Sequence, residues 1–446
     1  MNALTPHPRS PLDELIARLS ALHAGKIELG LERMHRLLAQ LDHPERKLPP
    51  VIHVAGTNGK GSTVAYLRAM LEAGGLRVHV FTSPWLVRIN ESYRLGKVGG
   101  GTFVDDDELF DVLTRCEQVN AGGAITFFEI KTIAAFDLFA RHPADVVLLE
   151  VGLGGRLDST NVVDQPVACV LTSISMDHMD FLGSSLASIA AEKAGIIKRG
   201  VPVISAEQEP DAMAVIEQQA KRMRAPLFAS GESWHVNVER GRLVYQDDLG
   251  LLDLPAPKLF GRHQFSNAGL AIATLRAIGN FKLAAGTFEA GIVSAEWPAR
   301  MQRLSTGALT ALGPDGCELW LDGGHNADGG RVIAAALGDL EERVSRPLVV
   351  IVGMMANKDA AAFLGNFAGL TRHIIVVPIP DQNAMAPGDL ANAARILGMR
   401  VEIADGVEVA LSGVARLAYE VPPRILITGS LYLAGHVLAI NGTPPT

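Results

Sequence analysis

The sequence predicts two α/β domains, a larger one built on a parallel sheet with a phosphate-binding loop and a smaller one behind it. Three observations carry this. Short apolar runs alternate with helical runs along most of the chain, the pattern of a parallel sheet with helices on both faces. The first such run, 51–55, leads into Gly56-Thr57-Asn58-Gly59-Lys60-Gly61-Ser62-Thr63, a glycine loop that opens a helix. The alternation restarts after Trp297-Pro298, which sets the expected domains at 1–297 and 298–446.

The elements follow in order. Leu12, Leu15, Ile16, Leu19 and Leu22 share one helical face over 11–22, and after a Gly25–Gly30 link a second helix runs over 31–41. Strand 51–55, the glycine loop and helix 62–73 form the next unit, followed by strand 77–81, which Thr82-Ser83-Pro84 ends. Residues 87–95 are mixed, and 96–101, with a triple glycine at 99–101, reads as a mobile loop. Helix 105–120 has an acidic start that suits the helix dipole, and helix 126–141 is strongly apolar. Strand 145–151 ends in Glu150-Val151, and strand 167–173 runs out before Met176-Asp177-His178. Helix 184–198 carries Glu192 and Lys193; strand 201–205 and helix 210–224 come next. Residues 235–254 read as a small β-hairpin insertion, and 264–278 as a helix. In the second half, strands are expected at 318–321, 347–352, 373–378, 400–403 and 424–428, with helices at 327–340, 387–396 and 406–418 and a last one opened by Gly429-Ser430.

Composition narrows the class. A chain of 446 residues is too long for a single core. With 48% apolar and 20% charged residues it reads as an ordinary globular protein. A net charge of −8 argues against a general nucleic-acid binder. The three cysteines, Cys116, Cys169 and Cys317, have no metal or redox spacing and fit buried thiols in a reducing cytoplasm. The N-terminus has no apolar core of a signal peptide, and no stretch reaches the length of a membrane span.

The glycine loop is the strongest chemical signal. Its backbone N–H groups and the helix N-terminus favour a phosphate, and Lys60 adds a mobile charge. The spacing departs from the usual Gly-x-x-x-x-Gly-Lys-Ser/Thr, since Gly61 stands where a hydroxyl is expected and Ser62 and Thr63 follow it. Ligands of parallel sheets bind at the carboxyl ends of the strands. Lys60–Thr63, Ser83, Glu150, Asp177-His178 and, in the second domain, Asp322 with His325-Asn326 all fall there. In the same sheet as a phosphate loop, Glu150 suits Mg²⁺, which takes one or two carboxylates beside phosphate oxygens. Ser83 reads equally well as a hydroxyl ligand or as a turn residue.

These residues, with their neighbours, resemble the folylpolyglutamate synthase and dihydrofolate synthase family of the Mur-type ligases. The matching segments are VAGTNGKGST (54–63), TSP (82–84), TFFE (126–129), EVGLGGRLDSTN (150–161), MDHMDFLG (176–183) and EKAGIIK (192–198), and then GRHQFSNA (261–268), WPAR (297–300), DGGHNADG (322–329), MMANKD (354–359) and GSLYLAG (429–435). They span nearly the whole chain. The resemblance implies a Rossmann-like second domain and an ATP-dependent ligase that adds L-glutamate to dihydropteroate and to reduced folates. It further implies that Gly56 to Thr63 hold the ATP phosphates, with Lys60 catalytic. Ser83 and Glu150 would bind a first Mg²⁺ and His178 a second, and Lys193, carbamylated, would be a further metal ligand. Asn267 and Arg300 would contact ATP from the adenine and hinge side. Asp322 would bind ribose, and His325 would lie near the phosphates or glutamate. Glu28, Leu29, Gly30, Thr126, Phe127, Phe128, Glu129, Leu157, Asp158 and Ser159 would line the pterin pocket. A cytoplasmic monomer acting on small molecules, with no nucleic acid or membrane partner, is the implied form.

Some positions depart from that pattern. Trp85 replaces a frequent histidine, Gly323-Gly324 replace hydrophobe-alanine, and Ala327 replaces proline. The competing readings are a member of the same family with only one of the two activities, a ligase acting on a cell-wall nucleotide precursor and, from another class, a switch ATPase with no need of glutamate.

Overall fold

The computed structural model describes residues 10–22, 28–371, 373–380, 383–417 and 419–446. The N-terminal stretch 1–9, residues 25–27 of the first link and the end of the helix expected to reach 418 lie outside these residues.

The first sheet has eight strands: β1 (Val51–Ala55), β2 (Val78–Phe81), β3 (Tyr93–Leu95), β4 (Thr102–Phe103), β5 (Val146–Glu150), β6 (Ala168–Leu171), β7 (Val203–Ser205) and β8 (Leu227–Ala229). Their order is β4-β3-β2-β5-β1-β6-β7-β8. All pairs are parallel except β2 with β3 and β3 with β4. The central strand, β1, is buried at every residue, which explains its unbroken apolar sequence. Helices Pro11–Ala21, Glu32–Gln40, Asp106–Asn120 and Phe127–Arg141 share one apolar core with the sheet. Lys60–Ala73, His263–Ile278 and Ala285–Ser294 build the core of the opposite face.

The structure corrects the sequence reading at several points. In the mixed stretch 87–95 a 3-10 turn, Ile89–Ser92, leads into β3, and the loop 96–101 joins β3 to β4 as a hairpin; Gly99 (φ 85°) and Gly100 (φ 123°) turn its end. Strand β8 was not foreseen. The expected hairpin insertion is a three-stranded antiparallel sheet, β9 (Trp234–Glu239), β10 (Arg242–Asp247) and β11 (Gly250–Leu254). Arg240 and Gly241 both take positive φ, which reverses the chain in two residues, and Gly250 at φ 113° helps the second reversal. The helix of the glycine loop starts at Lys60, because Gly59 (φ 88°) bends the chain into it at once. Thr126 is the cap of Phe127–Arg141, in a reciprocal box with Glu129. The helix expected over 184–198 covers Leu186–Ala194, capped by Ser185, and a separate turn, Met179–Leu182, precedes it.

The second sheet has β12 (Gln302–Leu304), β13 (Glu318–Leu321), β14 (Leu348–Val352), β15 (His373–Val376), β16 (Arg400–Ile403) and β17 (Arg424–Thr428). The order is β12-β13-β17-β14-β15-β16, with only the β12–β13 pair antiparallel. Strand β12 and helix Ala360–Leu364 were not expected from the sequence.

The link between the sheets is tightly held. Ala299 (φ 55°) and Met301 (φ 41°) are buried in left-handed conformations that cost non-glycine residues energy. Asp322 accepts the Met301 N–H at 2.7 Å, and Gly323 N donates to Ala299 O at 3.0 Å. Trp297 lies on Gly61: a Cβ at Gly61 would stand 2.6 Å from the indole. Gly61→Ala should therefore displace Trp297, shift its fluorescence and cost about 1–3 kcal/mol in a denaturant melt. Unchanged emission and stability would show that this contact constrains nothing.

Candidate active site

The glycine loop is fixed from below by strand β6. Thr57 N and Asn58 N donate to Ser173 O at 2.9 and 3.3 Å, and Thr57 Oγ1 exchanges hydrogen bonds with the Ser175 backbone, both 3.1 Å. Gly56, at φ 149°, has no room for a side chain, since a Cβ would lie 1.8 Å from Thr172 Oγ1. Gly59 faces Asn267, whose Oδ1 would stand 2.6 Å from a Cβ there.

Two lysines converge on this loop. Lys60 Nζ donates to Gly56 O at 3.1 Å and Thr57 O at 3.2 Å, and Lys193 Nζ donates to the same Gly56 O at 2.8 Å. Burial lowers the pKa of Lys60, with Glu150 and Asp177 opposing. Lys193 is 4% exposed, and burial followed by repulsion from Lys60 pushes it down to about 7. Glu150, at the end of β5, accepts from Ser83 N at 3.2 Å. Its burial raises its pKa, and Lys60 is the main charge pulling it back.

The second sheet closes onto the loop through side chains. Asn58 Nδ2 donates to Asn326 Oδ1 at 3.2 Å and Asp328 Oδ2 at 2.8 Å, and Asn326 Nδ2 returns a bond to Asn58 Oδ1 at 3.2 Å. Asp177 is the hub. It accepts from Asn326 Nδ2 at 3.0 Å and Lys358 Nζ at 2.5 Å, and His325 Nε2 lies at 3.5 Å. Burial would raise the Asp177 pKa, but His325, His178 and Lys358 together hold it far below the usual carboxylate range. His178 stands beside it in a left-handed conformation (φ 52°), with its pKa lowered to about 4 by burial. His325 is oriented from its other side by Nδ1 against Gly323 O at 2.9 Å.

The remaining expected residues divide into two groups. Arg300 lines a cavity of about 790 Å³ between the two sheets, together with Gly61, Ser83, Glu150 and Trp297. Asp322 is buried and accepts from Met301 N and Gly324 N, so it anchors the link whatever else it binds. Phe127, Phe128, Thr126, Leu29, Gly30 and Leu157 are half-buried and available to a ligand, and Glu28 is exposed. Glu129 and Asp158 are occupied within the protein. Glu129 binds Arg33 Nε at 3.0 Å and the Thr126 N–H at 2.7 Å, and Arg33 also reaches Glu28. Asp158 accepts four donors, Gly152 N, Leu153 N, Thr160 N and Thr160 Oγ1. A carboxylate has about four lone-pair sites, so Asp158 shapes its loop and keeps little for a ligand. Ser159 is buried beside it.

Sequence reasoning gave no role to Asp177, Lys358, Arg33 or Lys131. Lys131 had a visible signal, a single lysine inside the apolar run FFEIKTIAAF. The partnership of Asp177 with Lys358 had none, because 181 residues separate them. Among the described residues, no group of three or more His, Cys, Asp or Glu side chains is arranged to hold an ion by itself.

The Mur ligase middle-domain model matches residues 54–275, and the Mur ligase glutamate-ligase-domain model matches 300–431. A dihydrofolate synthase/folylpolyglutamate synthase of Bacillus subtilis is 37% identical over 326 residues, covering 70% of this chain and 72% of the relative. The solved structure of Escherichia coli FolC with DHPP and ADP superposes with a TM-score of 0.85 at 31% identity, over 98% of this chain and 99% of that one. A Yersinia pestis bifunctional folylpolyglutamate synthase/dihydrofolate synthase with AMPPNP and a Mn ion gives 0.84 at 31% identity, over 98% and 99%. No helix among the described residues is long and apolar enough to cross a membrane.

A double-mutant cycle tests the hub. Asp177→Asn and Lys358→Met should each destabilise the protein by about 3 kcal/mol, by leaving a buried partner uncompensated. The double variant should fall short of their sum by at least ~1 kcal/mol. Additive losses in urea melts would show that the two residues do not act as a pair.

Proposed function

The chain belongs to the Mur ligase family, among the dihydrofolate synthase/folylpolyglutamate synthases, and on that premise we propose an ATP-dependent ligase that joins L-glutamate to dihydropteroate and to reduced folates. The observation that carries the mechanism is the meeting of a phosphate loop, the half-buried Lys60, the buried Lys193 and a buried carboxylate at the carboxyl end of one sheet, facing a second domain.

A carboxylate does not react with an amine in water, because its oxygen is a poor leaving group. Transfer of the ATP γ-phosphoryl group to that oxygen gives an acyl phosphate and ADP. The glutamate amine then attacks the acyl carbon and phosphate leaves. The loop 56–63 would cradle the phosphates, and Lys60 would turn from Gly56 O and Thr57 O to the charge that spreads over the phosphoryl oxygens. Two divalent ions suit the donor set: Ser83 and Glu150 for one, His178 and Lys193 for the other. Bound there, they would neutralise phosphate charge and polarise the phosphoryl group. Asn267 and Arg300 would meet the nucleoside side of ATP, Asp322 its ribose, and His325 the phosphates or glutamate. Leu29, Thr126, Phe127, Phe128 and Leu157 would form the wall that receives the pterin.

Lys193 is suited to carbamylation. The reaction needs the neutral amine, which attacks CO₂ and loses a proton, and it turns a cation into an anionic oxygen ligand. With its pKa pushed down to about 7, Lys193 is largely neutral above that pH, whereas an ordinary lysine stays charged to about 10.4. Closure of the second domain would exclude the water that hydrolyses an acyl phosphate, with Trp297-Pro298 as hinge. A monomer is the proposed form.

With ATP, Mg²⁺ and dihydropteroate, radiolabelled glutamate should enter a folate product. No incorporation with dihydropteroate or any reduced folate would overturn the ligase reading. Ser62 is buried against Gln264, so Ser83→Ala should weaken use of Mg²⁺-ATP far more than Ser62→Ala, and the reverse order would overturn the metal assignment. In ¹³C-bicarbonate, NMR should show a carbamate signal that grows as pH rises through about 7 and is missing in Lys193→Gln. A signal identical in both proteins would place the carbamate elsewhere.

A further inference from the structure

Lys131 is a buried cation for which the reaction outlined above has no use. It lies one turn into helix Phe127–Arg141 and is 1% exposed. Its Nζ stands 4.8 Å from the ring centre of Trp85, 5.3 Å from Phe81 and 5.7 Å from Phe128. Among the described residues it has no hydrogen-bond acceptor and no ion-pair partner. The nearby carboxylates are engaged elsewhere: Glu91 accepts from Leu86 N, Val87 N and Arg88 N, and Glu150 from Ser83 N. Three aromatic faces hold a cation by their quadrupoles, but they leave an ammonium's N–H donors without an oxygen.

The cage sits between the wall assigned to the pterin and the strand end that carries Glu150. Phe127 packs edge-on against Trp85 at 6.2 Å, and the Phe128 ring closes on Gly152 at the start of the 152–160 loop, both in the wall assigned to the pterin. On the other side, Trp85 is two residues from Ser83, whose N–H binds Glu150. On the proposed assignment, the carboxylate tail of a substrate held by that wall would point across this boundary toward the phosphates.

We propose that Lys131, caged by Trp85, Phe81 and Phe128, is the counter-ion of the substrate's carboxylate tail and selects anionic acyl donors over neutral ones. The assignment rests on the ligase reading and adds a specificity determinant to it. Burial pushes the Lys131 ammonium down to about 7 against the pull of Glu150 and Glu91, so its charge near neutral pH depends on a neighbouring anion such as an arriving carboxylate. Trp85, the position that departs from the family pattern, then has a physical role as the ring nearest to that charge.

The test is a cycle of ligand and residue. Calorimetry with ADP and Mg²⁺ present measures binding of dihydropteroate and of its uncharged methyl ester to the wild type and to Lys131→Met. The wild type should prefer the acid at least ~10-fold, as expected of one charge-assisted contact. Lys131→Met should lose that preference while ester affinity stays within about threefold. Loss of acid and ester affinity in parallel, or an unchanged ratio, would overturn the proposal and mark Lys131 as a packing residue. Equal binding of acid and ester by the wild type overturns it alone, whereas binding of neither removes the ligase reading as well. Where the methionine variant does not fold, Lys131→Gln in the same cycle gives the same reading.

Discussion

Two lysines share one carbonyl oxygen, and the site depends on that convergence. Lys60 and Lys193 come from different helices, and both donate to Gly56 O. Two like charges cannot sit at one oxygen in a buried site without a compensating anion or the loss of a proton. The chain does both. Glu150 and Asp177 lie within electrostatic reach of Lys60, and Lys193 is driven toward its neutral form. A cluster built this way has spare positive potential that phosphate oxygens can satisfy, and an amine ready to become an acid. The departure of the glycine loop from its usual spacing then has a context. The hydroxyl displaced to Ser62 accepts from Gln264, and the residue that meets Glu150, through its backbone N–H, is Ser83.

The second domain meets this cluster through polar contacts, while Leu86 and Val87 pack on one of its apolar cores and Phe260 on Trp320. Asn58, within the phosphate loop itself, bonds to Asn326 and Asp328, and Asp177 gathers Asn326, His325 and Lys358. Each of these groups is also one that a phosphate or an amino acid could bind. An entering ligand would have to take over these contacts, the Asp177–Lys358 pair among them, which fits the proposed closure of the second domain. The link Ala299–Met301 is the opposite: buried, in left-handed conformations and tied down by Asp322. A stiff pivot and exchangeable contacts are complementary requirements for closure.

Much of the fold was legible in the sequence, for definite reasons. β1, β5 and β6 are buried on both faces, so their apolar runs stand out, and the glycine loop has a local signature. Short edge strands were not legible. β4 has two residues and β8 and β12 have three each, too few for a period to register. The third strand of the insertion was missed because Arg240 takes a positive φ that its residue type does not announce. In the site, residues on strand ends could be placed by the rule that ligands gather there. Asp158 and Glu129 could not be distinguished from free ligand-binding carboxylates, because their donors are backbone N–H groups and a distant arginine. Pairings such as Asp177 with Lys358 exist only once both domains are folded.

The central claim is that this cluster directs a phosphoryl group onto a carboxylate oxygen before the amide forms. Dihydropteroate labelled with ¹⁸O in its carboxylate, turned over with ATP and glutamate, tests it directly by ³¹P NMR of the phosphate released. The account predicts transfer of one carboxylate ¹⁸O into that phosphate for each amide made. Unlabelled phosphate accompanying full amide formation would contradict it.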